Sequence, residues 1–155
     1  MDSGSLTRRL RQVCPGQFSV RVLGQYWARP LPSEAKSLKL KRQGYVWVRE
    51  VQLLCDDHPW VFARTLIPLA SLRGRCQRLT RLGTRPLGEI LFADPKIQRG
   101  DVEVACILGS QRLHRRAFGD LPEKSDVIWG RRSVFRIGGR PLLVCEIFLP
   151  DLPIR

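Results

Sequence analysis

A chain of 155 residues with 43% hydrophobic and 26% charged side chains has the composition of one globular domain. That length buries about two thirds of the surface its unfolded chain exposes, and the composition is not that of a disordered chain. With 27 Lys and Arg against 14 Asp and Glu, the net charge of +13 favours an anionic partner: nucleic acid, a membrane surface or a small acid.

No apolar run approaches the roughly 20 residues of a membrane span. The opening MDSGSLTRRLRQ lacks the apolar core of a secretory signal, so a cytoplasmic protein is expected. Residues 17–23 alternate, with Phe18, Val20 and Val22 on one face and Ser19 and Arg21 on the other, the period of a half-buried strand. ARPLPSEAKSLKLKRQG follows, rich in Pro, Ser and Lys, and predicts a loop that crosses or covers the surface.

Residues 45–55 and 60–67 read as two strands joined at an Asp-Asp-His-Pro turn. In the first, Tyr45, Trp47, Arg49, Val51 and Leu53 share one face, and Val46, Val48, Glu50, Gln52 and Leu54 the other. Glu50 and Gln52 mark the second face as the wet one, which turns Arg49 towards the core.

Residues 69–82 carry Leu72, Cys76 and Leu79 at helical spacing before Gly83, predicting a helix and its stop. TRPLGEILF predicts a second, short helix with Pro86 at its first position and the Leu87 and Gly88 amides unpaired at its start. Strand pattern resumes over 101–107. GSQRLHRRAFGDLPEKSD reads as a basic loop, and SVFRIGGRPLLVCEIFL as a hairpin turning at Gly138-Gly139. About six strands in hairpin-like succession with two or three helices define an α+β single domain, an antiparallel sheet with helices on one face.

Five cysteines, Cys14, Cys55, Cys76, Cys106 and Cys145, never form a CxxC pair, so buried reduced thiols are expected rather than a zinc site or disulfide framework. The two histidines, His58 and His114, are too few for a metal site, and none is expected. GxGxxG and Walker motifs are missing from the sequence, so no nucleotide cofactor is expected either.

The candidate chemistry begins with Glu146, set in PLLVCEIFLP with apolar neighbours on both strand faces. Burying a carboxylate costs several kcal/mol unless it is paired or neutral. Two readings are open: a structural ion pair or protonated core acid, or a functional group whose pKa desolvation raises. Arg49, inward on another strand, is either its partner or a clamp for a ligand carboxylate. The helix start at Leu87 offers N–H groups to an anion. The basic run 112–116 and Arg131-Arg132 read as solvated surface rather than a nucleic-acid footprint, since no RNA-binding signature accompanies them.

Taken in order, GSLTRRL, VREVQLLC with PWVFARTLIP, LGTRPLGEILF, WGRRS and GRPLLVCEIFLP resemble the chorismate lyase family over nearly the whole chain. The resemblance implies a cofactor-free enzyme that opens bacterial ubiquinone synthesis, splitting chorismate into 4-hydroxybenzoate and pyruvate. It implies a six-stranded antiparallel sheet with a buried ligand cavity under two flaps. By the same resemblance Arg49 grips the ring carboxylate, Leu87 supplies a main-chain contact, Glu146 faces the ether-oxygen end, and Leu6 replaces the usual methionine at a fourth contact. One domain spans 1–155; relatives carry an extra helix ahead of GSLT, and 110–125 reads as an insert. A monomer acting on chorismate, with neither metal nor nucleic acid as partner, is expected; the alternative is a non-catalytic aromatic-acid-binding or regulatory module of the same fold.

Overall fold

The computed structural model describes residues 6–40, 44–72, 74–108, 115–117 and 127–153, with the backbone alone for 74–76, 105–108 and 127. The strands are β1 (Phe18–Ala28), β2 (Val46–Cys55), β3 (His58–Pro68), β4 (Gln98–Leu108), β5 (Val127–Ile137) and β6 (Arg140–Phe148). They form one six-stranded sheet in the order β1-β2-β3-β6-β5-β4, antiparallel throughout. Two three-stranded meanders thus meet at β3 and β6.

The turns follow from local chemistry. Gly138 and Gly139 take φ of 59° and 78°, as a two-residue hairpin requires. Asp56 and Asp57 take φ of 48° and 66°, which Asp tolerates better than most residues. His58 therefore pairs with Cys55 inside the ladder, a tighter turn than the four-residue Asp-Asp-His-Pro connection expected. In β1 a bulge between Val22 and Gly24 adds a residue and breaks the alternation, so the strand runs on to Ala28.

Helices α1 (Leu6–Val13) and α3 (Leu87–Ala93) lie on the Arg49 face of the sheet with two 3-10 stretches, Leu69–Leu72 and Gly74–Arg81. The 3-10 stretches replace the α-helix expected over 69–82. Ser71 Oγ donates to the Pro141 carbonyl at 2.7 Å and Arg140 donates to that of Ala70, tying the first turn to the β5–β6 hairpin. Gly74 then costs about 1 kcal/mol in an α-helix interior.

The opposite face is covered too, which corrects two expectations. Residues 32–38, read as loop, form α2 (Pro32–Leu38): Pro32 suits the first turn, and the Glu34 carboxylate accepts the Leu31 N–H at 2.8 Å. Leu38 packs on Val46, Val48, Leu66, Leu143 and Cys145, and Ala117 on Phe62, Ile128, Ile147 and Leu149. Glu50 and Gln52 are therefore 3% and 8% exposed rather than wet. Glu50 accepts from Arg64 at 2.8 Å, Arg116 at 2.6 Å and Tyr26 at 2.8 Å. The expected insert 110–125 lies outside the described residues apart from 115–117. Among the described residues no helix is long and apolar enough to cross a membrane.

The cysteines also depart from expectation. Cys14 and Cys55 form a disulfide with 5.7 Å between Cα atoms, tying the end of α1 to the end of β2; their separation of 41 residues hid a pairing that only the fold creates. Cys145 is a buried free thiol whose pKa burial pushes up to about 11, so it is a poor nucleophile near neutrality. The side chains of Cys76 and Cys106 lie outside the described set. Closing a loop of this length stabilises typically by about 2–4 kcal/mol. Thermal melts with and without reductant should differ accordingly, and Cys14→Ser should show the reduced melt in both buffers.

Candidate active site

Two apolar clusters occupy the Arg49 face. One gathers Ile67, Leu79, Leu82, Leu87, Leu91, Phe135, Ile137 and Leu142; the other gathers Leu10, Val51, Leu53, Trp60, Val61 and Leu152. Between them lies a cavity open to solvent at its mouth. Leu6, Arg49, Leu87 and Glu146 all line it, so the fold brings the four sequence candidates together.

Arg49 comes from β2 and is 3% exposed. Its Nη2 donates to the carbonyls of Gly83 and Arg85 at 2.9 and 3.1 Å, which fixes the guanidinium beneath the loop leading into α3. Nε is buried without a hydrogen-bond partner. Burial lowers the pKa of this group, and among the described residues no carboxylate offsets it. Of the two possibilities open for Arg49, pairing with Glu146 is excluded: Glu146 is paired elsewhere.

That partner is Arg131, whose Nε meets Glu146 Oε1 at 2.6 Å. The two are cross-strand neighbours, and Glu146 also sits opposite Ala63 on β3. The cavity floor therefore runs from Arg49 on β2, past Thr65 and Ala63 on β3 and Val144 and Glu146 on β6, to Arg131 on β5. Arg99 of β4 lines the same end, its Nε and Nη2 on Ser133 Oγ at 3.2 and 3.1 Å and its guanidinium over Phe92 and Phe135.

The roof is α1 and α3. Pro86 is the residue flanking α3, one position earlier than expected, and provides no side-chain cap. Leu87 and Gly88 line the cavity from the first turn. A Cβ on Gly88 would stand 3.3 Å from Thr7 Oγ1; glycine lets the two helices approach this closely.

Sequence reasoning missed Arg131 and Arg99. Arg131-Arg132 is not the solvated surface expected. Arg131 enters the cavity wall, while Arg132, on the other face, reaches the Ser33 carbonyl and Ser37 Oγ at 3.1 and 3.3 Å and fastens α2 to the sheet. The signal was available: counting back along both arms from the Gly138-Gly139 turn pairs residue 131 with residue 146.

A partly open cavity lined by three guanidinium groups, one carboxylate and two phenylalanine rings has the charge and apolar surface to suit a small organic acid. The same fold occurs in the C-terminal domain of the histidine utilization repressor from Pseudomonas syringae pv. tomato, 12% identical with a TM-score of 0.65 over 90% of this chain and 96% of that one. It also occurs in a GntR-family transcriptional regulator from Enterococcus faecalis, 19% identical, TM-score 0.59, covering 86% and 90%. These likenesses establish fold alone. In sequence, the chorismate lyase family model matches residues 1–154. A probable chorismate pyruvate-lyase of Methylococcus capsulatus is 46% identical over 96% of this chain and 91% of its own length. One of Aromatoleum aromaticum is 45% identical over 97% and 82%. The chain belongs to the chorismate lyase family.

Proposed function

We propose that the protein is a chorismate pyruvate-lyase, splitting chorismate into 4-hydroxybenzoate and pyruvate with its own side chains and no cofactor, as a cytoplasmic monomer. The observation that carries this reading is Arg49: a buried guanidinium with an orphaned Nε on the wall of a cavity whose opposite end holds Glu146. Burial without a countercharge disfavours the charged form of this group, a cost that a ligand carboxylate in the cavity offsets.

In this reading Arg49 takes the ring carboxylate, the Leu87 and Gly88 turn lies against the same end, and the ring rests between Leu91, Phe92 and Phe135. Leu6 closes the roof. The reaction breaks the ring C4–H bond, whose electrons complete the aromatic ring. It also breaks the C3–O ether bond, whose electrons leave on the enolpyruvate oxygen, and the enolpyruvate carbon takes up a proton to give pyruvate. Aromatisation drives the step, so the protein's task is orientation and proton transfer.

An ion-paired carboxylate accepts rather than donates. Glu146 therefore takes the C4 proton or holds the C4 hydroxyl, and does not donate to the ether oxygen. Glu146→Gln keeps the shape and removes the acceptor; kcat should fall about a hundredfold or more with a much smaller change in KM. A near-normal kcat would remove Glu146 from this role.

The primary test is incubation of the purified protein with chorismate, following pyruvate by a coupled dehydrogenase and 4-hydroxybenzoate by chromatography. Formation of both in equal amounts is expected. Retained 4-hydroxybenzoate binding with neither product formed would make the protein an aromatic-acid-binding module instead.

A further inference from the structure

We propose that Arg131 is the anchor for the second carboxylate of the substrate, the one on the enolpyruvyl group, and so the residue that tells substrate from product. The inference rests on the chorismate reading above and adds a group to it.

Three observations lead there. First, Arg131 spends only Nε on Glu146; its two Nη groups have no hydrogen-bond partner among the described residues, and the side chain lines the cavity. Second, Arg49 and Arg131 stand on β2 and β5, with β3 and β6 between them. Three strand spacings are about 14 Å between backbones, so the two guanidinium groups hold opposite ends of the cavity. Third, the cavity is lined by Arg49, Arg99, Arg131 and Glu146, three cations against one anion, which matches a dianion better than a monoanion.

The placement also solves a chemical problem. With the ring carboxylate on Arg49 and the C4 end at Glu146, the enolpyruvyl carboxylate on the neighbouring ring carbon lies close to Glu146. Two carboxylates repel at that range unless a cation stands between them, and Arg131 is already bonded to one of them. Its planar fork lets Nε hold Glu146 while Nη donates to the substrate. Once the C3–O bond breaks, the second carboxylate departs with pyruvate, and the remaining 4-hydroxybenzoate has no contact with Arg131.

The test compares two ligands that need no turnover: 4-hydroxybenzoate, with one carboxylate, and 3-(carboxymethoxy)-4-hydroxybenzoate, a stable aromatic with an ether-linked second carboxylate. In calorimetric titration, Arg131→Gln should weaken the dicarboxylate by about tenfold or more, the scale of one charge-assisted hydrogen bond, and 4-hydroxybenzoate by less than about threefold. Arg131→Lys, which keeps the charge and loses the fork, should fall between wild type and Arg131→Gln and serves as the reading if Arg131→Gln does not fold. The double variant Arg131→Gln/Glu146→Gln removes the ion pair from both sides and should keep the selective loss relative to Glu146→Gln. Equal weakening of both ligands, unchanged dicarboxylate affinity, or loss of selectivity in the double variant would overturn the proposal. Because wild-type turnover of chorismate is measured separately, a failed enzyme reading and a failed anchor are distinguishable.

Discussion

Arg49→Met is expected to lower kcat/KM for chorismate by about 30- to 5,000-fold while leaving the melting temperature unchanged or slightly raised. The activity loss follows from one buried charged contact: removing a partner from a desolvated charge pair costs about 2–5 kcal/mol. The stability follows from what Arg49 lacks. It has two carbonyl contacts, no carboxylate and a buried Nε with no partner, so the free protein bears an uncompensated charge, and methionine of similar length removes it. Arg49→Lys should also lose activity, since an ammonium does not reproduce both the carbonyl contacts and the free donors. Steady-state kinetics and a thermal melt on the same preparation check both halves. If Arg49→Met melted several degrees lower and kept its activity, Arg49 would be a structural residue.

How far the sequence could lead is clear from individual residues. Arg49 is inward because alternation in a strand has a fixed period, and the phase of Trp47, Val51 and Leu53 set it. That the same strand buries Glu50 and Gln52 was illegible: polar residues on one face mean water only where nothing covers the face, and the cover comes from α2 and 115–117, distant in the chain. The pairing of Arg131 with Glu146 follows from a two-residue turn and so was legible in principle. The distance between Arg49 and Glu146 was not. It depends on the non-local pairing of β3 with β6, and on a register shift between Leu53 and Leu54 that spoils any count from the β2–β3 turn. The Cys14–Cys55 bridge was hidden for the same reason. Family resemblance supplied four candidate residues, Leu6, Arg49, Leu87 and Glu146; that Glu146 is paired, and with Arg131, came only from the fold.

The same unpaired-against-paired logic predicts the opposite behaviour for Arg64 on the other face. Arg64 is 3% exposed; Nε and Nη2 bind Glu34 at 2.7 and 3.1 Å, and Nη1 binds Glu50 at 2.8 Å. Burial works against its charge, yet the hydrogen bonds and attraction of the two carboxylates raise its pKa overall. Arg64→Met should therefore cost about 3–5 kcal/mol, because Glu34, 0% exposed, is left as a buried carboxylate with no cation. In a domain of this size that lowers the melting temperature by about 6–20 °C. Arg64→Met/Glu34→Leu should recover much of the loss, since an apolar pair replaces a buried ion pair at little cost. The pH dependence has a definite sign. Burial pushes the Glu50 carboxyl up, but hydrogen bonds from Arg116, Arg64 and Tyr26 outweigh it and hold the pKa below the ordinary value of 4.5. A depressed carboxylate contributes stability above its unfolded pKa and loses it as pH falls through the folded one. Deleting Arg64 raises the folded value, so acid unfolding of Arg64→Met should begin at higher pH than in the wild type. Melts from neutral to acidic pH compare the two; an unshifted acid limb, or a single variant as stable as the double, would show that Arg116 and Tyr26 hold this face without Arg64.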